Sequence, residues 1–351
     1  MKRTTLATVM LVSALVGCSK KEDASKAGDA SKATGASTSA ATTNATTTPA
    51  GGASAPASTG ASALAHLPEK CAVAARLDVT AFVAHPAVKS QVTPAAEKLK
   101  KGGDASGKGL QAFIAEAGID PMTDLKEVAL CAADLKQGPE GDFTIALGGN
   151  LKPGTVVAGI EKHGKAENFN FEELAGTKII ADKGGKMFLG QATDGVVVLA
   201  STKAGLEAGL KGSGGGAKLG LPLDATASLL IPGDAMKQAL DGPGTPFAAQ
   251  AKDAGRALLT LDLAKSAAQL RIAMKDEKGA TEFAGVLKML LGQMAQQPAM
   301  GGDPMAAMGM AMLKDAKIDA KGADTVVDVA IPAGQIDELA KRLGTAMANG
   351  K

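Results

Sequence analysis

The stretch Asn168–Ala200, NFNFEELAGTKIIADKGGKMFLGQATDGVVVLA, decides the fold. It holds four short apolar runs, Asn168–Leu174, Thr177–Ala181, Met187–Gln191 and Val196–Ala200, separated by Ala175-Gly176, Gly184-Gly185 and Asp194-Gly195. Asp-Gly and Gly-Gly between such runs are hairpin signals, because the tightest turns need residues that tolerate positive φ. The stretch therefore predicts an antiparallel meander. Thr202 follows as an N-cap for a helix to Lys211, its hydroxyl oxygen able to accept from an unpaired first-turn amide.

Upstream, the pattern predicts strands at Cys71–Leu77, Val128–Ala133 and Phe143–Leu147. Helices are expected over Pro86–Lys101, with Pro94 opening a second series of turns, over Leu110–Ala117 before Gly118, and from Pro153 to His163. The glycine run Gly212-Ser213-Gly214-Gly215-Gly216 reads as a linker, after which a similar order resumes. Strands are expected at Ala225–Ile231, Ala257–Leu263 and Ala268–Met274, then a helix over Ala280–Gln297 and a Met-rich helix over Pro304–Lys314. Strands Lys317–Ala320 and Thr325–Ile331 and a helix Gly334–Met347 end the chain. The fold class is thus α+β, an antiparallel sheet with helices, and the like order of residues 67–216 and 217–351 predicts an internal duplication of one such unit.

Residues 18–66 differ in kind. They are Ser, Thr, Ala, Gly and Lys with almost no large apolar side chain, so they cannot bury enough surface to offset ordering entropy and are expected to form a disordered tether. By flexible-linker scaling it would span about 40 Å root-mean-square.

Residues 1–17 have a basic start at Lys2 and Arg3, an apolar core from Leu6 to Val16 and a small-residue exit. That is the layout of a secretory signal peptide, too short for a permanent membrane span. Its end, Leu15-Val16-Gly17-Cys18, resembles the lipobox of bacterial lipoproteins, and the resemblance implies lipidation of Cys18, cleavage before it and attachment to a membrane by acyl chains. Ser19, rather than Asp, resembles the sorting pattern for the outer membrane of Gram-negative cells. The body resembles envelope lipoproteins with repeated α+β modules; this likeness rests on layout and supplies no active site.

Removing Lys2 and Arg3 takes the formal net charge of +2 down by two, to zero. With no Trp, no Tyr and eight Phe, stacking platforms are scarce, so nucleic acid is excluded as an expected partner. Two cysteines remain beside Cys18. In an oxidising envelope Cys71 and Cys131 are expected to form a disulfide, two buried free thiols being the alternative.

No catalytic or metal site is expected, and no cofactor. The histidines His66, His85 and His163 lack zinc spacing and read as solvated, His163 complementing a helix dipole. The run Lys211–Lys218 lacks the Gly-Lys-Ser/Thr of a phosphate loop and follows a helix, not a strand. The acidic residues, such as Glu116, Asp120, Asp124 and Glu127, read as solvated faces and caps. Methionines crowd Met289–Met312. Phe283, Val286, Leu287, Leu290 and Met294 share a core-facing stripe, and Met305, Met308 and Met312 share a helix face. Core packing, a groove for a partner or acyl chain, and Cu(I) thioether ligation all fit these methionines. The function that follows is a noncatalytic, membrane-anchored envelope protein that binds a protein or supports structure. The rival is a carrier for a hydrophobic ligand in a groove at Met294, Met305, Met308 and Met312.

Overall fold

The computed structural model describes residues 62–100, 119–120, 123–133, 141–163, 169–212, 214–240, 253–296, 312 and 314–349. The lipobox, the expected tether up to residue 61 and the helix expected at Leu110–Ala117 lie outside the described residues, as does most of the Met-rich helix.

The meander is present. Strands β4 (Phe169–Leu174), β5 (Thr177–Asp182), β6 (Phe188–Gln191) and β7 (Val197–Ala200) pair in sequence, all antiparallel. At the β4–β5 turn both Ala175 (φ 50°) and Gly176 (φ 78°) take left-handed backbone, the geometry whose twist matches the flanking strands. Preceding them are β1 (Val73–Asp78), β2 (Leu125–Ala132) and β3 (Phe143–Gly149); following them are β8 (Ala227–Pro232), β9 (Ala254–Asp262), β10 (Ala267–Met274), β11 (Lys317–Lys321) and β12 (Asp324–Ala330). All twelve join one sheet in the order β11-β12-β10-β9-β8-β1-β2-β3-β7-β6-β5-β4. Outward from the central β1–β8 pair, β1-β2-β3-β7-β6 and β8-β9-β10-β12-β11 follow like orders.

Eight α-helices occur among the described residues: α1 (Val79–Ala84), α2 (Pro86–Lys100), α3 (Thr155–His163), α4 (Lys203–Lys211), α5 (Gly215–Lys218), α6 (Gly233–Leu240), α7 (Glu277–Gln296) and α8 (Ala333–Asn349). Thr202 caps α4 as expected, its Oγ1 accepting from the Gly205 amide at 3.1 Å. Pro94 lies inside a continuous α2 instead of opening a second series of turns. Proline does remove one helical bond, and packing of α2 on α8 accompanies the unbroken helix. Neither α1 nor α6 was expected; each is a single short excursion after a strand, α1 capped by the Asp78 carboxylate, which accepts from the Ala81 amide.

Side chains alternate between two faces of the sheet. On the helix face, Ala257, Ile272 and Met274 meet Met236 of α6 and Phe283 of α7, and Ile318 and Val327 meet Ala284 of α7. On the same face Leu261 and Leu263 pack with Val88 of α2 and Ile336 of α8, while α3 places Val156 near Val197. On the opposite face, Ala74, Ala129, Cys131, Ala146, Val198 and Ile179 pack under Leu206 of α4 and under Ala63, Leu64 and Leu67.

Of these, Ala63 and Leu64 fall within the expected tether, 18–66, and correct its boundary. Ala63–His66 form a 3-10 turn whose Ala63, Leu64 and His66 are buried. We call the segment Ser62–Lys70 the strap, and the sheet surface it covers the strap face. The glycine run is also more than a linker: Gly215 and Gly216 open α5 against the strap backbone, and a Cβ on Gly216 would stand 2.0 Å from the Leu64 carbonyl oxygen. Glycine is required there by close approach.

Candidate functional site

The strap is fastened from both sides. The Glu127 carboxylate on β2 accepts from Ser62 Oγ at 3.0 Å and from the Ala63 amide at 2.7 Å. Its other oxygen accepts from Arg76 Nε at 2.6 Å, and Arg76 Nη1 donates to the Ala225 carbonyl at 3.1 Å, tying β1 to the segment leading into β8. Glu127 was expected as a solvated residue, yet it and Arg76 are buried. The charge is tolerable because each group satisfies the other and both are hydrogen-bonded.

His66 is a second correction. It is 3% exposed, Nδ1 lies 2.6 Å from the Gly209 carbonyl and Nε2 2.9 Å from Asp194 Oδ2, so both ring nitrogens face acceptor oxygens. His85 is half-buried, and its Nδ1 is buried without a hydrogen bond among the described residues. His163 ends α3, and its side chain lies outside those described. On the strap's outer surface Lys218 pairs with Glu69 and holds that carboxyl below its ordinary pKa, chiefly through the hydrogen bond.

The expected disulfide is present. Cys71 and Cys131 are joined with 5.4 Å between their Cα atoms. Cys131 sits on β2, whereas Cys71 directly follows the strap, two residues before β1, so the bridge ties the end of the strap to the sheet.

Beyond the strap, the same face of the sheet carries a row of polar side chains. Register places Arg76, Ser228, Thr260, Gln269, Asp328 and Lys317 side by side on β1, β8, β9, β10, β12 and β11. This polar rung crosses half the sheet. Gln269 Nε2 donates to Asp328 Oδ1 at 2.7 Å, and the Thr260 hydroxyl to the Gln269 carbonyl at 3.4 Å. Ser228 Oγ is buried without a partner among the described residues. Above the outer rung lies a hollow of about 570 Å³ whose lining includes Ala225, Leu258, Thr260, Gln269, Arg271 and Asp328. Leu223, 64% exposed, is next to its lining residues Pro222 and Asp224.

At one end of the hollow Lys265 hydrogen-bonds Asp262 at 2.7 Å, which holds the Asp262 carboxyl below its ordinary pKa and raises that of Lys265. Other charges are looser: Arg271 lies 3.8 Å from Asp324, and Lys321 3.8 Å from Asp328. The lining mixes both signs with apolar Leu258 and Ala225, a surface chemistry suited to binding a mixed polar and apolar partner.

Met305 and Met308 lie outside the described residues, and so does the Met294 side chain, although its backbone belongs to α7. Met312 is half-buried, and Met289 on α7 is 59% exposed. Phe283, Leu287 and Leu291 of α7 pack on the sheet. Among the described residues no group of three or more His, Cys, Asp or Glu could hold a metal ion, and no helix is long and apolar enough to cross a membrane.

The polar rung was not anticipated. Its members are separated by up to hundreds of positions in the chain, and only the strand order brings them together.

No family model matches the sequence, and no curated protein matches it. Among solved structures the chain is similar to TP0453. In crystal form III the TM-score is 0.41 at 10% identity, covering 82% of this chain and 98% of that one. Crystal form I gives 0.40 at 10% identity, covering 80% and 97%.

Proposed function

We propose that this chain is a noncatalytic envelope lipoprotein, anchored by acyl chains on Cys18, whose repeated α+β body binds a protein on the open part of its strap face. The observation that carries the binding role is the outer polar rung and its hollow: a partly exposed sheet surface with both charge signs, apolar patches between them and an exposed Leu223 nearby. The Cys71–Cys131 bridge supports the address, since disulfides persist in oxidising compartments. Ser19 supports the outer membrane as the destination in a Gram-negative cell.

Metabolic labelling with a palmitate analogue tests the anchor. The wild-type chain is expected to take up label and fractionate with membranes, and Cys18→Ser to lose both. A mature chain that begins elsewhere and carries no lipid would remove the basis for the proposal. For the binding role, a photo-crosslinking residue at Gln269 is expected to trap one discrete protein, with capture reduced by Arg271→Glu. Trapping that ignores Arg271→Glu counts against the hollow.

A carrier for a hydrophobic ligand is the second reading, favoured by the exposed Met289. Lipid co-purifying with the chain and displaced by substitution of Met289 would select it instead.

A further inference from the structure

The twelve-stranded sheet has two edges, β4 and β11, and among the described residues each pairs with one strand only. Every neighbouring pair is antiparallel. An even number of strands then makes the two edges run in opposite directions. A second copy placed beside the first in the same orientation would therefore meet β4 with its β11 as an antiparallel neighbour, strap face continuing into strap face.

The side chains match in that arrangement. On the strap face β4 carries Asn170 and Glu172, and β11 carries Lys317, Asp319 and Lys321. On the helix face β4 carries Phe169 and Phe171, and β11 carries Ile318 and Ala320. Setting Glu172 opposite Lys317 brings Phe171 opposite Ile318, Asn170 opposite Asp319 and Phe169 opposite Ala320. Cross-strand pairs of opposite charge and of apolar side chains are the stabilising unit of a sheet. Lys317 is exposed and makes no ion pair among the described residues, while Glu172 already meets Lys203 of α4. The reverse possibilities are poorer: two β11 edges would bring lysines together and two β4 edges glutamates, and like charges on edges are a device against such pairing.

We infer that β4 of one copy pairs with β11 of another, joining copies of this chain head to tail through a continued antiparallel sheet. The contact is heterologous, so it leaves a free β4 and a free β11 at the ends and propagates beyond a dimer. It rests on the two edges and not on acylation, so it stands or falls separately from the function proposed above.

The test is trapping by cysteine pairs in the purified full chain, held in detergent micelles and mildly oxidised. Glu172→Cys with Lys317→Cys is expected to give a ladder of dimers, trimers and larger species that reductant collapses. Within one molecule the two sites lie on opposite edges of the sheet, eleven strand spacings or about 50 Å apart along it, and species beyond a monomer report joining between molecules. Glu173→Cys with Lys317→Cys puts the thiols on opposite faces and is expected to give no ladder. A chain that stays monomeric with the first pair, or ladders equally with both, overturns the inference. Lys317→Glu supplies a second measurement: the association constant from sedimentation is expected to fall about tenfold or more with Tm unchanged, and an unaltered constant also overturns it.

Discussion

Over the first half of the sheet the strap face carries Ala74, Ala129, Ala146, Val198 and Ile179, roofed by α4 and the strap; over the second half it carries buried Ser228 and Val326, half-buried Thr260 and Gln269 and exposed Arg271, with the hollow above them. The two halves differ in where their last helix goes. In the first, α4 follows β7 onto the strap face, where Leu206 is fully buried. In the second, α8 follows β12 onto the helix face, where Ile336 and Ala340 pack with Val88 of α2. Residue chemistry follows coverage: positions under a roof lose water and are apolar or, like Arg76 and Glu127, paired with each other, and positions left in water carry groups that interact with it. Like strand orders thus yield one half roofed on its strap face by a helix and one half with a hollow on that face.

The sharpest way to break this difference is to unfasten the roof. Glu127→Ala would strip the strap of two hydrogen bonds and leave Arg76 a buried cation with its nearest remaining carboxylate, Asp78, 3.6 Å away. Removing one partner of a buried pair costs about 3–5 kcal/mol. Denaturant unfolding is expected to show that loss together with new proteolytic cleavage between Ser62 and Lys70. A loss smaller than about 1 kcal/mol, the range of a solvent-exposed pair, would mean that the strap is held by its apolar contacts alone.

Substitutions under the roof and on the other half's strap face are expected to differ by a few kcal/mol. Leu206→Ala under the roof should cost about 2–5 kcal/mol, the usual range for a buried leucine. Thr260→Ala on the open face gives up one long hydrogen bond beside solvent and should stay within about 0.5 kcal/mol. Equal losses at the two positions would show that the open face is covered by something in solution.

The meander was legible because turn chemistry is local: Ala175-Gly176 and Asp194-Gly195 announce themselves within two residues. The disulfide was legible by counting, since Cys71 and Cys131 were the pair left once Cys18 was assigned to lipid. The strap was not. Ala63, Leu64 and His66 continue a Ser- and Ala-rich composition, and their burial depends on α4, α5 and β2, which come from distant parts of the chain. The same holds for Glu127, whose charge predicts a solvated face until strand order places Arg76 beside it. Short helices such as α1, with six residues, carry too few turns for periodicity to register. The rung from Arg76 to Lys317 has no sequence signature, because register is a property of the assembled sheet.

The smallest expected effect lies at the hollow's end, where Asp262 pairs with Lys265. Lys265 lowers the Asp262 pKa in the folded chain, so the carboxylate's contribution to stability is present above the ordinary carboxylate pKa and fades as pH falls through the lowered one. Asp262 raises the Lys265 pKa, so the lysine's share is present below its ordinary pKa and fades as pH rises through the raised one. Asp262→Asn should therefore cost a little at neutral pH and nothing in strong acid, where the wild-type carboxylate is already protonated. Tm measured against pH for both chains checks this: the two curves should converge on the acid side. Because both side chains reach solvent on the open face, salt should shrink the neutral-pH difference, whereas the loss at Leu206 beneath α4 should be indifferent to salt. A salt-independent Asp262→Asn effect would place that pair, too, under cover.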